Sequence, residues 1–408
     1  MTHHSTLDRR NGGRARVRGV AVIVGMLAIA LALAACGSSS SSSSAGSSSS
    51  SGSSGSSGGS TATNAAASTG TGSVAAAAAA LTPYKSLPTT INITTPLKSA
   101  PPKGKTFVML GTNNPSNVIV QQEMAKLAKD AGWNFSVVSY DPANPGTFTA
   151  AETTALSKHP QYLTEAGLPL TASQIAMAKN AGAKWILDSV YPITLGGAVI
   201  AQSDAYAQDA LMGKIVADYF ISDSGGKGNA VIEHIPSYPI LDGFTSGFGN
   251  EVKAKCPNCK TTEADITIPD LVAGKAPSTL VSALRSNSAA NYLVFDDGPF
   301  ADGITSALSA AGLNGKVKVI GEAADQAGIA ALKNGSEAAW TGFDPGYEAF
   351  ENMDIAFRDT EGMPIPVSQE AQQPTQLLTK DTIGSTSNWS APTNAEAQFL
   401  KLWHLQAQ

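Results

Sequence analysis

The chain has 408 residues, with 27 Lys and Arg against 32 Asp and Glu and a formal net charge of −5. This acidic balance argues against a nucleic-acid-binding function, which needs a basic surface. A chain of this length also exceeds a single hydrophobic core, so we expect more than one folded domain.

Residues 1–35 have the composition of a secretory signal. Five Arg lie among the first eighteen residues, and an uncharged apolar run extends from Gly19 to Ala35. A basic start, an apolar middle and small residues at the end are typical of such signals. The final "LAAC", which ends at Cys36, looks like a bacterial lipobox. This implies cleavage before Cys36, lipidation of its thiol, and a location on the outer face of the bacterial cell membrane. An ordinary signal peptide or a membrane helix is the alternative, although 17 apolar residues are short for a membrane span.

Residues 36–104 are predicted to form a disordered tether. The stretch from Ser38 to Ser60 is almost entirely Ser and Gly, and Ala and Thr dominate from Thr61 to Ala80. Such a composition does not bury enough apolar surface to offset the entropy lost on folding. Without residues 1–35 the chain keeps 22 basic and 31 acidic residues, and its net charge becomes −9.

Cys256 and Cys259, in "KCPNCK", are the only other cysteines. A CxxC motif occurs both in redox dithiols and in zinc sites. No second CxxC or His pair follows, so no metal site is expected, and a redox motif would normally open a helix early in a small domain. For an exported protein the pattern favours a local disulfide that closes a tight turn.

Beyond Lys105, short apolar runs alternate with amphipathic stretches, as expected for alternating strands and helices. The predicted strands are residues 106–112, 134–141, 161–167, 184–189, 229–235, 261–266, 291–297, 316–322 and 338–344. The predicted helices are residues 117–132, 149–158, 171–181, 206–222, 244–255, 276–286, 300–311, 326–334 and 347–354.

This alternation predicts an α/β fold with two doubly wound parallel-sheet lobes, because about 300 residues exceed one compact core. Ligands of such sheets gather at the carboxyl ends of the strands. Those predicted ends carry five carboxylates, namely Asp188, Asp296, Asp297, Glu322 and Asp344.

Several segments resemble, in order, the type I periplasmic binding proteins, notably the ribose/galactose group of ABC-transporter solute-binding proteins. They are "GTNNPSNVIVQQEMAKLAKDAGW", "AMAKNAGAKWILDS", "SDAYAQDALMGKIVADYF", "NYLVFDDGPFADGITSALSAAGL" and "KVIGEAADQAGIAALKNG". The resemblance implies two lobes joined by a hinge of three crossovers. It places the N-terminal lobe at 105–202 plus about 338–363 and the C-terminal lobe at 203–337 plus about 364–388. Residues 389–408 form an extension with a predicted helix.

The resemblance also implies candidate ligand-binding residues. These are Asn113 and Asn114 in the "NNP" turn, Asp188 at the end of the fourth predicted strand, Asp297, Glu322, and Phe343 or Asp344. Asp242 stands where the family pattern has an Arg, and Ser116 and Asn117 stand where it has a ring-stacking aromatic pair. These departures put a ribose-like ligand in doubt.

The resulting hypothesis is a monomeric, extracytoplasmic solute-binding lipoprotein that captures a small polar solute and delivers it to an ABC permease, without a cofactor. A sugar or polyol is the preferred solute, since carboxylates accept hydrogen bonds from paired hydroxyls. A cationic solute such as a polyamine or amino compound is the alternative, as is a sensor that presents solute to a membrane receptor. An enzyme is not expected, because nucleophile-elbow, zinc-protease and P-loop motifs are missing from the sequence. A glycosidase is the enzyme class that paired carboxylates would otherwise suggest.

Overall fold

The computed structural model describes residues 65–142, 144, 146–365 and 373–407. The predicted signal, the lipidation site Cys36 and the first part of the predicted tether lie outside these residues. The strands are β1 (Thr106–Gly111), β2 (Asn134–Ser139), β3 (Tyr162–Thr164), β4 (Lys184–Asp188), β5 (Val199–Ser203), β6 (Asn229–His234), β7 (Lys260–Asp265), β8 (Tyr292–Phe295), β9 (Lys318–Gly321), β10 (Ala339–Thr341) and β11 (Leu377–Thr379). The helices are α1 (Ala65–Ala80), α2 (Pro115–Ala131), α3 (Gly146–Leu156), α4 (Ala172–Asn180), α5 (Tyr206–Asp223), α6 (Asp242–Lys255), α7 (Ile268–Val272), α8 (Ala276–Ser286), α9 (Ile304–Ala310), α10 (Gln326–Asn334), α11 (Pro345–Thr360) and α12 (Ala395–Leu402).

The first sheet has five parallel strands in the order β2-β1-β3-β4-β5. The interior strand β1 is almost entirely apolar and is buried on both faces, as a parallel sheet with helices on both sides requires. Helices α2 and α11 cover one face, and α3 and α4 cover the other. We call this sheet and its helices the first lobe.

The second sheet has six strands in the order β11-β10-β9-β8-β6-β7, all parallel except the edge strand β11. Helices α5 to α10 pack on it, and together they are called the second lobe. The predicted fold class, with two doubly wound sheets, is therefore confirmed. One boundary is wrong: residues 339–341 were expected in the first lobe, but β10 pairs with β9 of the second sheet. The chain crosses to α11 only after this strand ends.

Residues 65–104, which we call the strap, depart from the disordered tether that the sequence predicts. The Ala-rich stretch forms α1, because Ala is the strongest helix former. Ala77 packs against α5 and α6 of the second lobe, and Ile93 and Leu97 are buried in the core of the first lobe. The apolar residues that follow the Ala run were thus missed as anchoring points.

The chain returns to the first lobe at its C-terminal end. Phe399 of α12 stacks on Phe350 of α11, with ring centroids 5.0 Å apart and nearly parallel planes. Beneath them Arg358 is 1 % exposed, and its Nε lies 2.6 Å from Oδ2 of Asp354. Arg358 also donates to the carbonyl oxygen of Thr95, and Trp403 donates to Asp354. One buried ion pair therefore joins the strap, α11 and the C-terminal segment.

Helices α5 and α6 pack closely enough to fix the start of α5. A Cβ on Gly247 would lie 2.2 Å from the carbonyl oxygen of Ala210, and one on Gly243 would lie 2.7 Å from that of Tyr206. Only glycine fits at such a backbone contact. The far end of α6 closes with the Cys256–Cys259 disulfide that the sequence predicts.

Candidate functional site

Carboxylates follow neighbouring strands of the first sheet at their carboxyl ends. Glu165, just after β3, is fully buried, and its carboxylate accepts hydrogen bonds from the backbone N–H groups of Asp188 (2.9 Å) and Leu168 (2.5 Å). Burial, followed by the neighbouring charge of Asp188, raises the pKa of Glu165 well above its usual range. The sheet edge thus holds acidic groups that are shielded from water.

Asp188 at the end of β4 and Asp204 just after β5 lie side by side. Oγ of Ser189 donates to Oδ2 of Asp204 at 2.8 Å and to Oδ1 of Asp188 at 3.4 Å, and Ser203 also donates to Asp188. Burial and the charge of Asp204 raise the pKa of Asp188 to about 7. Burial raises that of Asp204 to about 6. The hydroxyl groups only partly offset the cost of placing these two carboxylates together.

Helix α11 adds Glu348 and Glu351, which share one helix face at i, i+3 spacing. Burial and the charge of Asp188 raise the pKa of Glu348 well above normal, and the hydrogen bond between the two side chains raises it further. Glu351 accepts from Gln373 at 3.1 Å and from the Asp204 backbone at 3.4 Å, and burial and Asp204 raise its pKa to about 8.

The second lobe contributes five further carboxylates. Asp209 lies in the first turn of α5, Glu233 in β6, Asp296 and Asp297 directly after β8, and Glu322 directly after β9. All except Asp297 are at most 4 % exposed. Burial is the first cause of a raised pKa in each of the five, and like charges in the same group are the next large cause in most of them.

The two sets of carboxylates meet around Asp204, which stands where the chain crosses from the first lobe to the second. Its charge raises the pKa of Asp188 and Glu351 on one side and of Asp209 and Glu322 on the other. Electrostatic effects of this kind require proximity. We call the whole group the carboxyl cluster: Glu165, Asp188, Asp204, Asp209, Glu233, Asp296, Asp297, Glu322, Glu348 and Glu351.

The carboxyl cluster has no cationic partner from Lys or Arg within the described part of the chain. His234, next to Glu233, lies 3.0 Å from Asp242 and 2.8 Å from Asp265 through its two ring nitrogens. Burial lowers the pKa of His234, but the hydrogen bonds to Asp265 and Asp242 outweigh it and leave that pKa raised. The positive charge that His234 carries when protonated lowers the pKa of Asp296.

Aromatic side chains flank the carboxyl cluster. Tyr140, after β2, is buried, and its pKa is raised by burial and then by Glu165, Asp188 and Tyr238. Tyr140 therefore lies near carboxylates of its own lobe and near Tyr238 of the second lobe. Tyr191 and Tyr206, on either side of the first crossover, stack with ring centroids 4.1 Å apart.

The sequence from residue 106 to residue 362 matches the family model described as periplasmic binding protein domain. The chain belongs to the periplasmic binding protein family. The resemblance read from the sequence is thereby confirmed. A search of curated proteins finds no match.

Solved structures support the same fold for this periplasmic binding protein. An ABC transporter periplasmic solute-binding protein from Actinobacillus succinogenes with bound D-allose is 17 % identical, with a TM-score of 0.59 over 70 % of this chain and 100 % of the other. GanP, a glucose-galactose binding protein from Geobacillus stearothermophilus, is 15 % identical, with a TM-score of 0.59 over 69 % and 100 %. A periplasmic ribose ABC transporter protein from Conexibacter woesei is 16 % identical, with a TM-score of 0.58 over 70 % and 94 %.

Among the predicted ligand-binding residues of this periplasmic binding protein, Asp188, Asp297 and Glu322 come together in the carboxyl cluster. Asp242 lies at its margin, where it binds His234. Asn113 and Asn114 are exposed, and Asn114 caps α2 by accepting from the Ser116 backbone.

Asp344 and Phe343 lie apart from the carboxyl cluster. Asp344 is the N-cap of α11, where it accepts from the Gly346 backbone at 2.9 Å and from Ser390 at 2.6 Å. Its bonds are those of a helix cap rather than of a group waiting for a ligand. Phe343 is partly buried against the core of the second lobe.

Asp296 was predicted at a strand end but not as a ligand-binding residue, and six further members of the cluster were not among the predicted ligand-binding residues: Glu165, Asp204, Asp209, Glu233, Glu348 and Glu351. Glu233 carried a usable signal, because it is a charged residue inside the apolar strand "NAVIEH". Glu348 and Glu351 lie on α11, which is buried on all sides because it packs between the first sheet and α12. This packing is not visible in the sequence pattern of the helix alone.

Two further observations concern the described residues of this periplasmic binding protein. None of their helices combines the length and apolar character that a membrane crossing requires. No three of their His, Cys, Asp and Glu side chains are arranged to ligate a metal ion.

Proposed function

We propose that the chain is an extracytoplasmic solute-binding protein of an ABC importer, which captures a small polar solute between its lobes and delivers it to a permease. The carboxyl cluster is the observation that supports this proposal, because it draws polar groups from the strand ends of both sheets. A ligand at such a place contacts both lobes only when they are closed, and this differential contact favours the closed state. The assigned task is binding and release rather than a chemical reaction.

The sequence favours a sugar or polyol as the solute, and the D-allose in the structure from Actinobacillus succinogenes supports hydroxylated solutes in general. Asp188, which lies between Glu165, Asp204 and Glu348, is the residue we assign to the centre of the first-lobe contact surface. Oδ1 of Asp188 accepts from two serine hydroxyls at 3.3 and 3.4 Å, long contacts that a solute donor would improve.

A thermal-shift screen tests solute binding. The full chain, purified in detergent, is heated with sugars, polyols, amino sugars, polyamines and amino acids. A solute at a hundredfold excess over its dissociation constant should stabilise the folded chain by about 2.7 kcal/mol. Asp188→Asn should abolish that shift, whereas Asp381→Asn, at an exposed position, should keep it. A chain whose melting temperature is the same with every solute as without solute would contradict the proposal.

We also propose that Cys36 carries a lipid that holds the protein at the outer face of the cell membrane. The basic, apolar and "LAAC" segments of the sequence support this. Bacteria expressing the chain should incorporate radiolabelled palmitate into it and retain it in the membrane fraction. The Cys36→Ser variant should take up no label. Equal labelling of both forms would exclude Cys36 as the acceptor.

A further inference from the structure

We infer that the solute is an organic cation whose ammonium group binds between Asp209, Glu322 and Asp204 at the carboxyl cluster. This inference rests on the proposed function and names the class of solute. An organic cation differs from the sugar or polyol that the sequence favours. The ammonium group belongs to an amine or to an amino sugar.

The negative charge of the carboxyl cluster has no Lys or Arg counter-charge among the described residues. Eight of its ten members have buried side chains, and a ninth, Asp204, lies at the crossover. No Lys or Arg among the described residues forms an ion pair with any of the ten. Buried carboxylates without a counter-charge are unfavourable and shift toward their protonated form. A cation from outside the chain supplies the charge that the chain itself does not.

Several buried oxygens of the carboxyl cluster lack hydrogen-bond partners among the described residues, and one belongs to each of Glu322 and Asp209. Oε2 of Glu322 and Oδ2 of Asp209 accept no bond from any described residue, although these side chains are 2 % and 4 % exposed. Each lies within the electrostatic range of the other and of Asp204, Asp296 and Asp297. Both acceptors thus lie near like charges and take no part in the hydrogen-bond network of the described residues. An ammonium group, with three donors and one positive charge, satisfies both.

Neutral hydroxyl groups meet only half of this requirement. A hydroxyl donates one hydrogen bond to a carboxylate but leaves the negative charge uncompensated. In the described residues both ring nitrogens of His234 are already engaged by Asp242 and Asp265. Tyr140, which lies near Glu165 and Asp188, places an aromatic ring beside the first-lobe carboxylates, and aromatic rings attract cations.

Matched pairs of solutes test the charge directly. Isothermal titration calorimetry on the full chain in detergent compares D-glucosamine with D-glucose, and putrescine with 1,4-butanediol. The charged member of at least one pair should bind at least tenfold more tightly. Because carboxyl groups lose protons as the cation binds, the measured heat should change with the ionisation enthalpy of the buffer. The affinity for putrescine, which stays charged over this range, should rise between pH 5.5 and 8.

The groups that face Glu322 and contribute to this proton release come from every surrounding element. They are Asp204 at the crossover, Asp209 of α5, and Asp296 and Asp297 after β8. Binding of D-glucose or D-allose as tight as that of any amine would overturn the cation inference and leave the proposed function intact. If the chain binds neither amines nor sugars, both the cation inference and the proposed function are overturned. The same holds if Ca²⁺ is the sole cation that it binds.

Charge-removing variants locate the ammonium group. Glu322→Gln and Asp209→Asn should each weaken binding of the amine by about 30-fold, as expected when one partner of a buried charge contact is removed. The exposed control Asp381→Asn removes the same net charge and should change the affinity less than twofold. Equal weakening by all three variants would show a general charge effect and overturn the assigned position.

Discussion

Replacing Arg358 by methionine should lower the free energy of unfolding by about 3–5 kcal/mol. The substitution leaves Asp354, which is fully buried, without the guanidinium at 2.6 Å that compensates its charge. It also removes the hydrogen bond from Arg358 to the carbonyl oxygen of Thr95. Urea unfolding followed by circular dichroism measures the change as a lower transition midpoint.

Two companion variants test whether the buried charge is the cause. Lys184→Met removes a surface ion pair to Asp359, whose lysine is 46 % exposed, and should cost less than about 1 kcal/mol. The double variant Arg358→Met/Asp354→Leu removes both charges and should recover most of the loss. A double variant as unstable as the single one would mean that the hydrogen bonds to the strap and to Trp403 matter more than the charge.

The unliganded protein should be more stable at pH 5.5 than at pH 8, by about 3 kcal/mol or more. Burial raises the pKa of Asp188 and Glu233 to about 7, that of Asp204 to about 6 and that of Glu351 to about 8. Their unfolded values lie near 4, so between pH 4 and 8 the folded protein holds more protons than the unfolded chain. This contribution is complete below the unfolded pKa and is lost as the pH rises through the folded pKa values. Melting temperatures across the pH range should therefore fall by roughly 5 °C or more toward pH 8.

The Glu351→Gln variant checks the origin of this pH dependence. An amide at this position keeps the contact with Gln373 but has no charge to desolvate, so stability should decline less steeply above pH 6. The exposed Asp381→Asn substitution should leave the slope unchanged. A stability that is flat or increases with pH would contradict uncompensated burial of the carboxyl cluster.

The two-sheet fold could be predicted because its signals are local. Apolar runs such as Thr106–Gly111, followed by a helix that ends at a left-handed Gly132, recur along the chain and require a parallel sheet. The edge strands β5 and β11 were not predicted as strands. They are short, and they lie at crossovers where local pattern and the pairing partner are both weak.

The candidate site could be predicted only in part. Asp188 is the last residue of a strand, and Asp297 and Glu322 follow strands within two residues, so topology alone brings them to the carboxyl ends of their sheets. Glu348 and Asp209 belong to helices, and which side of a helix faces a distant sheet depends on packing that one sequence does not reveal. Asn114 shows the converse ambiguity, because a polar residue after a strand also serves as a helix cap.

The strap changes how a mechanical load would enter the protein. Its first helix lies on α5 and α6 of the second lobe, and its later residues are bonded to α11 of the first. A pull directed from an anchored N-terminus is therefore borne first by the second lobe, at the α5–α6 pair whose glycine contacts allow little slippage. We expect the first lobe to rotate relative to the second lobe, with the strap limiting how far the two lobes separate.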